Sequence, residues 1–464
     1  MGKIRLRSKQ FVLRVLPLAV VAVSMVSLAA QPNTDPNHRN RYLRSVPPVS
    51  VAQISTTEPK VPAVKPIAGI AALPKRALSL AEIGGRAAHG HPGVQQAKRQ
   101  AEALRGEWIQ AGLRSNPSIG YSAEDMTRDY AGVQGITLSQ PITPKYKRDA
   151  RQAAVSREYQ AASQVYHIQH QKAVNDAMLT AYRVAFAYRK CLVLEELTQI
   201  SQDALHVAGE LLQAKEIERA MFLDIKIKSE QTRIALRDAE IAYRTACKEL
   251  AILLGLPDRE LIEITDPVET LPMELNESAL LTEIQAVSPE LRQAYAEVET
   301  AKARLKQQYA EAGIDYDTNV KIAYNTETKQ NELSVGVAIP IRLFDRNQGN
   351  IQRAKSELAA SHRNVERLER LLAQRYERQI GEYQIARNRV VSYKEILSDA
   401  REALDLALAA YRRGEYGSHE LLEAERTFSN VQIEHLDNMS ALMESHILLQ
   451  GALLSGGLEK PGKE

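Results

Sequence analysis

Apolar residues follow two different periods along this chain, and the periods alternate twice. Residues 145–208 contain neither Pro nor Gly, and there Val155, Tyr159, Ala162, Tyr166, Ala173, Ala177, Val184 and Tyr188 keep the three-or-four spacing of a coiled-coil stripe. A helix over those 64 residues would be roughly 95 Å long at about 1.5 Å per residue. A second such stretch runs from Asn350 to Arg413, interrupted only by Gly381. Each long helix is expected to turn, near Glu216–Ala220 and Arg412–Ser418, and return as a shorter one. Before each helical stretch the period drops to two. Leu333, Val335, Val337 and Ile339 alternate with Ser334, Gly336 and Ala338, and Val320–Tyr324 lies across a turn at Thr328–Asn331. The earlier copy offers strands at Ser118–Asp125 and Gly132–Gln140 around a turn at Met126–Tyr130, with weaker alternation.

These elements form two copies of one pattern. His91-Pro92, Gln140-Pro141 and Leu253-Leu254-Gly255 correspond to Ser288-Pro289, Ile339-Pro340 and Leu453-Leu454, at intervals of 197, 199 and 200 residues. A repeat of this kind decides architecture before any local assignment does. It divides the chain into a first repeat over 78–275, a second over 276–457, and a short tail over 458–464. Order is expected to begin at Leu78-Ser79-Leu80-Ala81-Glu82, with Ser79 capping a helix.

What precedes the repeats differs in composition. Lys3, Arg5, Arg7, Lys9 and Arg14 lead into the apolar run Val15–Ala30, which closes on Ser27-Leu28-Ala29-Ala30, so residues 1–29 read as a signal peptide. The alternative, an N-terminal anchor helix, is disfavoured by Pro17 and the shortness of the run. Eight prolines over residues 31–77 make 30–77 an extended linker. Removing the leader takes five positive charges from a formal +3, leaving 3 − 5 = −2, which gives no case for nucleic acid. Two cysteines, Cys191 and Cys247, do not make a disulfide framework; buried small hydrophobes are the better reading.

A rod of long helical hairpins cannot bury itself, so partner chains are expected. Strands of about ten residues with one apolar face match transmembrane barrel strands, but four cannot close a barrel, since the smallest have about eight. Three chains would supply twelve. The fold class is therefore mainly α with a small β part: long antiparallel coiled-coil hairpins plus four barrel strands per chain. Three chains would form a twelve-stranded barrel continued by a helical tube.

The order of elements resembles the TolC-like outer-membrane factors, the exit ducts of tripartite efflux pumps and type I secretion systems. Ala111-Gly112-Leu113-Arg114-Ser115-Asn116-Pro117, Leu254-Gly255-Leu256-Pro257 and Tyr411-Arg412-Arg413-Gly414 agree with that family, over about residues 78–457. The stretch Pro340-Ile341-Arg342-Leu343-Phe344-Asp345-Arg346-Asn347-Gln348-Gly349 is similar to one in the CzcC-like and CusC-like members, which pair with heavy-metal exporters. Its bland reading is a strand-to-helix junction. The resemblance implies a homotrimer in outer-membrane lipid with its helices in the periplasm. The implied partners are a periplasmic adaptor protein and an inner-membrane RND-type pump; no enzyme activity and no cofactor are implied. A duct for drugs or secreted polypeptides remains the alternative, and a secreted coiled-coil tether the remote one.

The same resemblance places gate positions at Asp224, Glu420 and Glu423, with Tyr411 helping to hold the tip shut and Arg413, Gly414 and Tyr416 in adaptor docking. Carboxylate rings in a pore favour cations. The competing reading is that acidic residues near a helix start merely favour its dipole. The first tip, Lys215-Glu216-Ile217-Glu218-Arg219, lacks the glycine many members carry. His89 with His91, and His167 with His170, lack nearby partners at ligand spacing, so packed or solvated histidine is the better reading and no metal site is assigned.

Overall fold

A computed structural model describes residues 75–459 apart from 127–130, 257–260, 269, 271, 273–274 and 414. The expected signal peptide, nearly all of the linker and most of the tail lie outside the described residues, as does Gly414.

Each repeat contributes a strand hairpin flanked by helices. In the first, α1 (Leu80–Gly90) and α2 (Pro92–Gly112) lead to β2 (Ser118–Glu124) and β3 (Val133–Ile142), then to α3 (Lys145–Gln213) and α4 (Arg219–Leu254). In the second, α5 (Glu277–Val287) and α6 (Pro289–Glu311) lead to β5 (Tyr316–Asn325) and β6 (Gln330–Ala338), then to α7 (Gln348–Arg412) and α8 (Ser418–Gln450). Both turns between long and returning helices fall where the sequence placed them. Ser79 Oγ accepts from Glu82 N at 3.2 Å and caps α1. Pro92 and Pro289 occupy the first turns of α2 and α6, where a missing N–H costs nothing. Gly255 ends α4 at φ +64°, a left-handed cap that glycine adopts without strain.

One pairing was not anticipated. β1 (Lys75–Leu78) runs parallel to β4 (Leu261–Ile264), so regular structure includes at least three residues upstream of Leu78 and the linker assigned to 30–77 loses its end to a strand. Four-residue strands carry too little periodicity to be read locally; what fixes them is burial. Leu78 and Ile262 join Ala177, Val184, Cys191, Tyr243, Cys247 and Leu250 in one core. Tyr243 Oη donates to Ile262 O at 2.8 Å. Both cysteines are free and buried, and burial pushes the Cys191 thiol up to about 12.

The stripe expected on α3 is not one continuous seam. Ala173, Ala177 and Val184 are fully buried, yet Tyr159 is 39% exposed. The reason is that α3, 69 residues long, changes neighbours along its length, meeting α2, α6, α1, α8 and α4. Different faces are buried at different levels, so no single heptad holds. Phe186 of α3 enters the second repeat's core beside Leu372, Tyr376, Tyr383, Leu436 and Leu442, joining the two copies.

After α8 the chain folds back onto α3. Asn175 Nδ2 donates to Gly451 O at 2.9 Å and Leu454 O at 2.7 Å. Asp176 accepts from the backbone N–H groups of Gly456 and Gly457 at 3.1 and 2.5 Å. A Cβ at Gly451 would lie 2.1 Å from Asn175 Nδ2, so this clasp requires glycine there.

The four strands form one antiparallel sheet in the order β2-β3-β5-β6. The register aligns Tyr121, Ile136, Ile322 and Leu333 in one row, and Ile119, Leu138, Val320 and Val335 in another. All eight are between 39% and 78% exposed. The opposite face carries Gly120, Ser122, Gly135, Thr137, Asn319, Lys321, Ser334 and Gly336, with Lys321 Nζ 2.5 Å from Glu124 Oε1. An apolar outer face over a small and polar inner one is the wall of a membrane barrel. No described helix is long and apolar enough to cross a membrane. Directly beneath the sheet, Lys147 pairs with Asp315 at 2.7 Å and Arg151 with Glu311 at 2.5 Å, fastening α3 to the end of α6.

The clasp supplies a stability prediction. Asn175→Ala leaves two buried carbonyls without their donor and should cost about 1–3 kcal/mol, read as a lower thermal midpoint. An unchanged midpoint would show that the contact is dispensable.

Candidate functional site at the helical tips

The two tips meet through a small apolar cluster of Ala208, Ile225 and Leu422, and the charged residues around it are arranged by that packing. Asp224 stands on the second turn of α4 and Lys228 four residues on, the spacing that places both on one helical face. Lys228 Nζ lies 3.0 Å from Asp224 Oδ2 and also donates to Glu423 Oε1 on α8. His419 Nδ1 is 4.0 Å from Asp224 Oδ2. One cation thus bridges two carboxylates from different repeats. The Lys228 side chain is 19% exposed, against 48% for Asp224 and 43% for Glu423. With carboxylates this open to water, each ion pair contributes on the order of 1 kcal/mol or less.

The bridge sets both titrations. Lys228 holds the Glu423 carboxyl below the usual carboxylate range, against some desolvation. Burial alone would lower Lys228, but its hydrogen bonds to Glu423 and Asp224 outweigh that and raise it.

Of the residues expected at the gate, Asp224 and Glu423 are brought together and Glu420 is not. Glu420 Oε2 accepts from Gly417 N at 3.0 Å, closing the first turn of α8. Tyr411, on the last turn of α7, lines a cavity of about 180 Å³ with Asp203, Val207, Leu421 and Glu425. Burial, and then Glu196, push the Glu425 carboxyl above its ordinary range. Arg413 makes a two-pronged contact with Glu415 at 2.8 and 2.9 Å; both are exposed, as is Tyr416. At the first tip, Lys215 adopts φ +63°, taking the left-handed position without glycine at a cost of about 1–2 kcal/mol. Among the described residues no group of three or more His, Cys, Asp or Glu could hold a metal ion.

Sequence reasoning missed Lys228 and Glu425. The four-residue spacing from Asp224 was a visible signal for Lys228. Its contact with Glu423, 195 residues away, was not visible.

Residues 280–453 match the family model described as outer membrane efflux protein. The match lies within the second repeat and covers less than half of the chain. The family comprises channels rather than enzymes. Along most of its length the chain is also similar to the cobalt-zinc-cadmium resistance protein CzcC of Cupriavidus metallidurans. They are 23% identical over 398 residues, covering 84% of this chain and 92% of that protein. Among solved structures it resembles CusC, at a TM-score of 0.66 and 17% identity over 85% of this chain and 96% of that one. The MtrE outer membrane channel of Neisseria gonorrhoeae, solved in its open state, gives a TM-score of 0.61 and 18% identity, covering 83% and 91% of the two chains. These likenesses establish the fold: barrel strands continued by a helical tube.

The bridge should be pH-sensitive in a defined direction. A depressed carboxyl stabilises above its unfolded pKa, about 4.3 for Glu, and that contribution is lost as pH falls through the lower folded value. A raised lysine stabilises below its unfolded pKa, about 10.4, and loses its contribution as pH rises through the higher folded value. Hydrogen exchange at the start of α8, corrected for intrinsic rates, should therefore stay slow between about pH 5 and pH 10 and accelerate on either side. Lys228→Met should exchange faster throughout; if it matches wild type at pH 7, the bridge does not hold α8.

Proposed function

We propose that this protein is the outer-membrane exit duct of a tripartite efflux system, acting as a homotrimer that shares one twelve-stranded barrel. A periplasmic adaptor and an inner-membrane RND-type pump would complete the assembly, with the pump supplying the energy. The observation that carries this reading is a four-stranded sheet, apolar outside and small or polar inside, with both edge strands open among the described residues. Three copies close those edges and continue as a tube of helices. The proposed cargo is heavy-metal cations, supported by the likeness to CzcC and by the junction stretch Pro340–Gly349. At the tip, Asp224 and Glu423 with Lys228 sum to −1 − 1 + 1 = −1 per subunit. The proposed ring is thus a weaker cation filter than three uncompensated carboxylates would be, with Glu420 adding charge from its capping position. Tyr411 is proposed to steady the closed tip, and Arg413, Gly414 and Tyr416 to meet the adaptor.

Three copies per particle are expected by mass measurement in detergent, and a stable monomer would remove the shared barrel. In single-channel recordings Lys228→Met should increase cation preference and the double variant Asp224→Asn, Glu423→Gln should reduce it. Each shift should be roughly threefold in permeability ratio, as for a tip potential changed by about one kT. Unchanged selectivity in both would take these residues out of the pore. A deletion strain should become sensitive to cobalt, zinc or cadmium; sensitivity to drugs alone would favour a drug duct.

A further inference from the structure

The segment joining β6 to α7 is rigidly built yet leaves its large apolar side chains uncovered. Arg342 donates to Glu311 O at 2.8 Å, and Asn347 Nδ2 donates to Gln308 O at 2.7 Å. Asp345 Oδ1 accepts from Asn347 N at 2.8 Å, and Gln348 Nε2 donates to Phe344 O at 3.1 Å. The polar residues of this stretch therefore shape the loop and pin it to the end of α6. Its apolar residues find no cover among the described residues: Ile341 is 82% exposed, Leu343 64% and Phe344 88%. A hydrogen-bonded loop that holds an isoleucine, a leucine and a phenylalanine in water is poised for a partner.

We infer that Ile341, Leu343 and Phe344 form a docking finger for a second copy of this chain, seated against the end of α2 at Ile109 and Leu113. The inference rests on the shared-barrel reading, and strand direction then selects the occupant. β6 is one edge of the sheet and β2 the other, so closure sets β6 of one subunit against β2 of the next. In an antiparallel barrel β6 descends towards its helix while the neighbouring β2 ascends from its own. The chain leaving β6 is residues 339–344, and the chain entering β2 is residues 109–117. They therefore meet where barrel joins tube. Ile109 and Leu113 are 58% and 56% exposed, so apolar surface is uncovered on both sides of the seam. The helices agree, because α2 packs on α3, α3 on α6 and α6 on α7, leaving α2 and α7 at opposite ends of the wall. The finger explains why a stretch at a mere strand-to-helix turn carries Ile, Leu and Phe among Arg, Asp and Asn.

The test begins with the wild-type mass in detergent, where a monomer defeats the shared-barrel reading itself. Given a trimer, differently tagged Phe344→Cys and Leu113→Cys subunits are co-expressed and treated with a short bis-maleimide. Cys191 and Cys247 are buried, with thiols pushed up, and should not react. The finger predicts a mixed two-subunit band, absent when Phe344→Cys is paired with Met221→Cys at the distant tip. A trimer with no such band overturns the inference. Trp108 is the sole tryptophan, so the conservative pair Trp108→Phe, Phe344→Trp gives a second readout with one fluorophore. In vesicles of brominated phospholipid, weak quenching supports the seat, whereas strong quenching assigns Phe344 to the lipid leaflet and overturns it. Phe344→Ser should raise the concentration for half-assembly about tenfold or more, as expected for exposing a buried aromatic; no change counts against the finger.

Discussion

A four-stranded antiparallel sheet with an apolar outer face has two unmet demands. Its edge strands present unpaired N–H and C=O groups, and its outer residues have no core to enter. In water either is an aggregation hazard; in a bilayer, unpaired backbone groups are costlier still. Both demands are met in the proposed assembly, where the sheet closes with other copies and faces lipid. The rest of the architecture follows from that constraint. Two hairpins per chain require two repeats, each strand needs a helix to stand on, and the wall order β2-β3-β5-β6 matches the packing order α2-α3-α6-α7.

The helices meet a different constraint. A wall of parallel rods has little interior, so burial is assembled where the rods cross other elements. Around α3 that happens midway along, where α1, α8 and the returning C-terminal segment converge and Asn175 and Asp176 tie down backbone. Towards the tip the packing thins to Ala208, Ile225 and Leu422, and water-exposed ion pairs take over. That gradient suits a duct. The middle and barrel end are fastened by the clasp and by Lys147 with Asp315, while the tip rests on contacts worth little each. Reorganisation is cheapest at that end, where the gate is proposed.

Charge at the tip shows how neighbours alter what a residue can do. The three carboxylates expected at the gate are, within one subunit, a bridged pair and a helix cap. Lys228 offsets one of the two negative charges it touches, and Glu420 spends a hydrogen bond on Gly417. The summed charge of Asp224, Glu423 and Lys228 is therefore smaller than the carboxylate count suggests.

The periodicities of two and of three-to-four determined the strands, the long helices and both tip turns, because those elements are set by near-neighbour sterics and by one apolar face. The duplicated landmarks determined that hairpins come in pairs. Sequence alone also placed the Ser79 cap, whose physics is local. Tertiary structure decided what depends on distant chain. The β1–β4 pairing joins segments 186 residues apart, too short to carry a period and held by the burial of Leu78 and Ile262. The stripe on α3 dissolved into several faces because one helix serves five neighbours in turn. The bridging of Asp224 and Glu423 through Lys228 required two repeats folded side by side, since an ion pair is a property of distance and not of spacing along the chain.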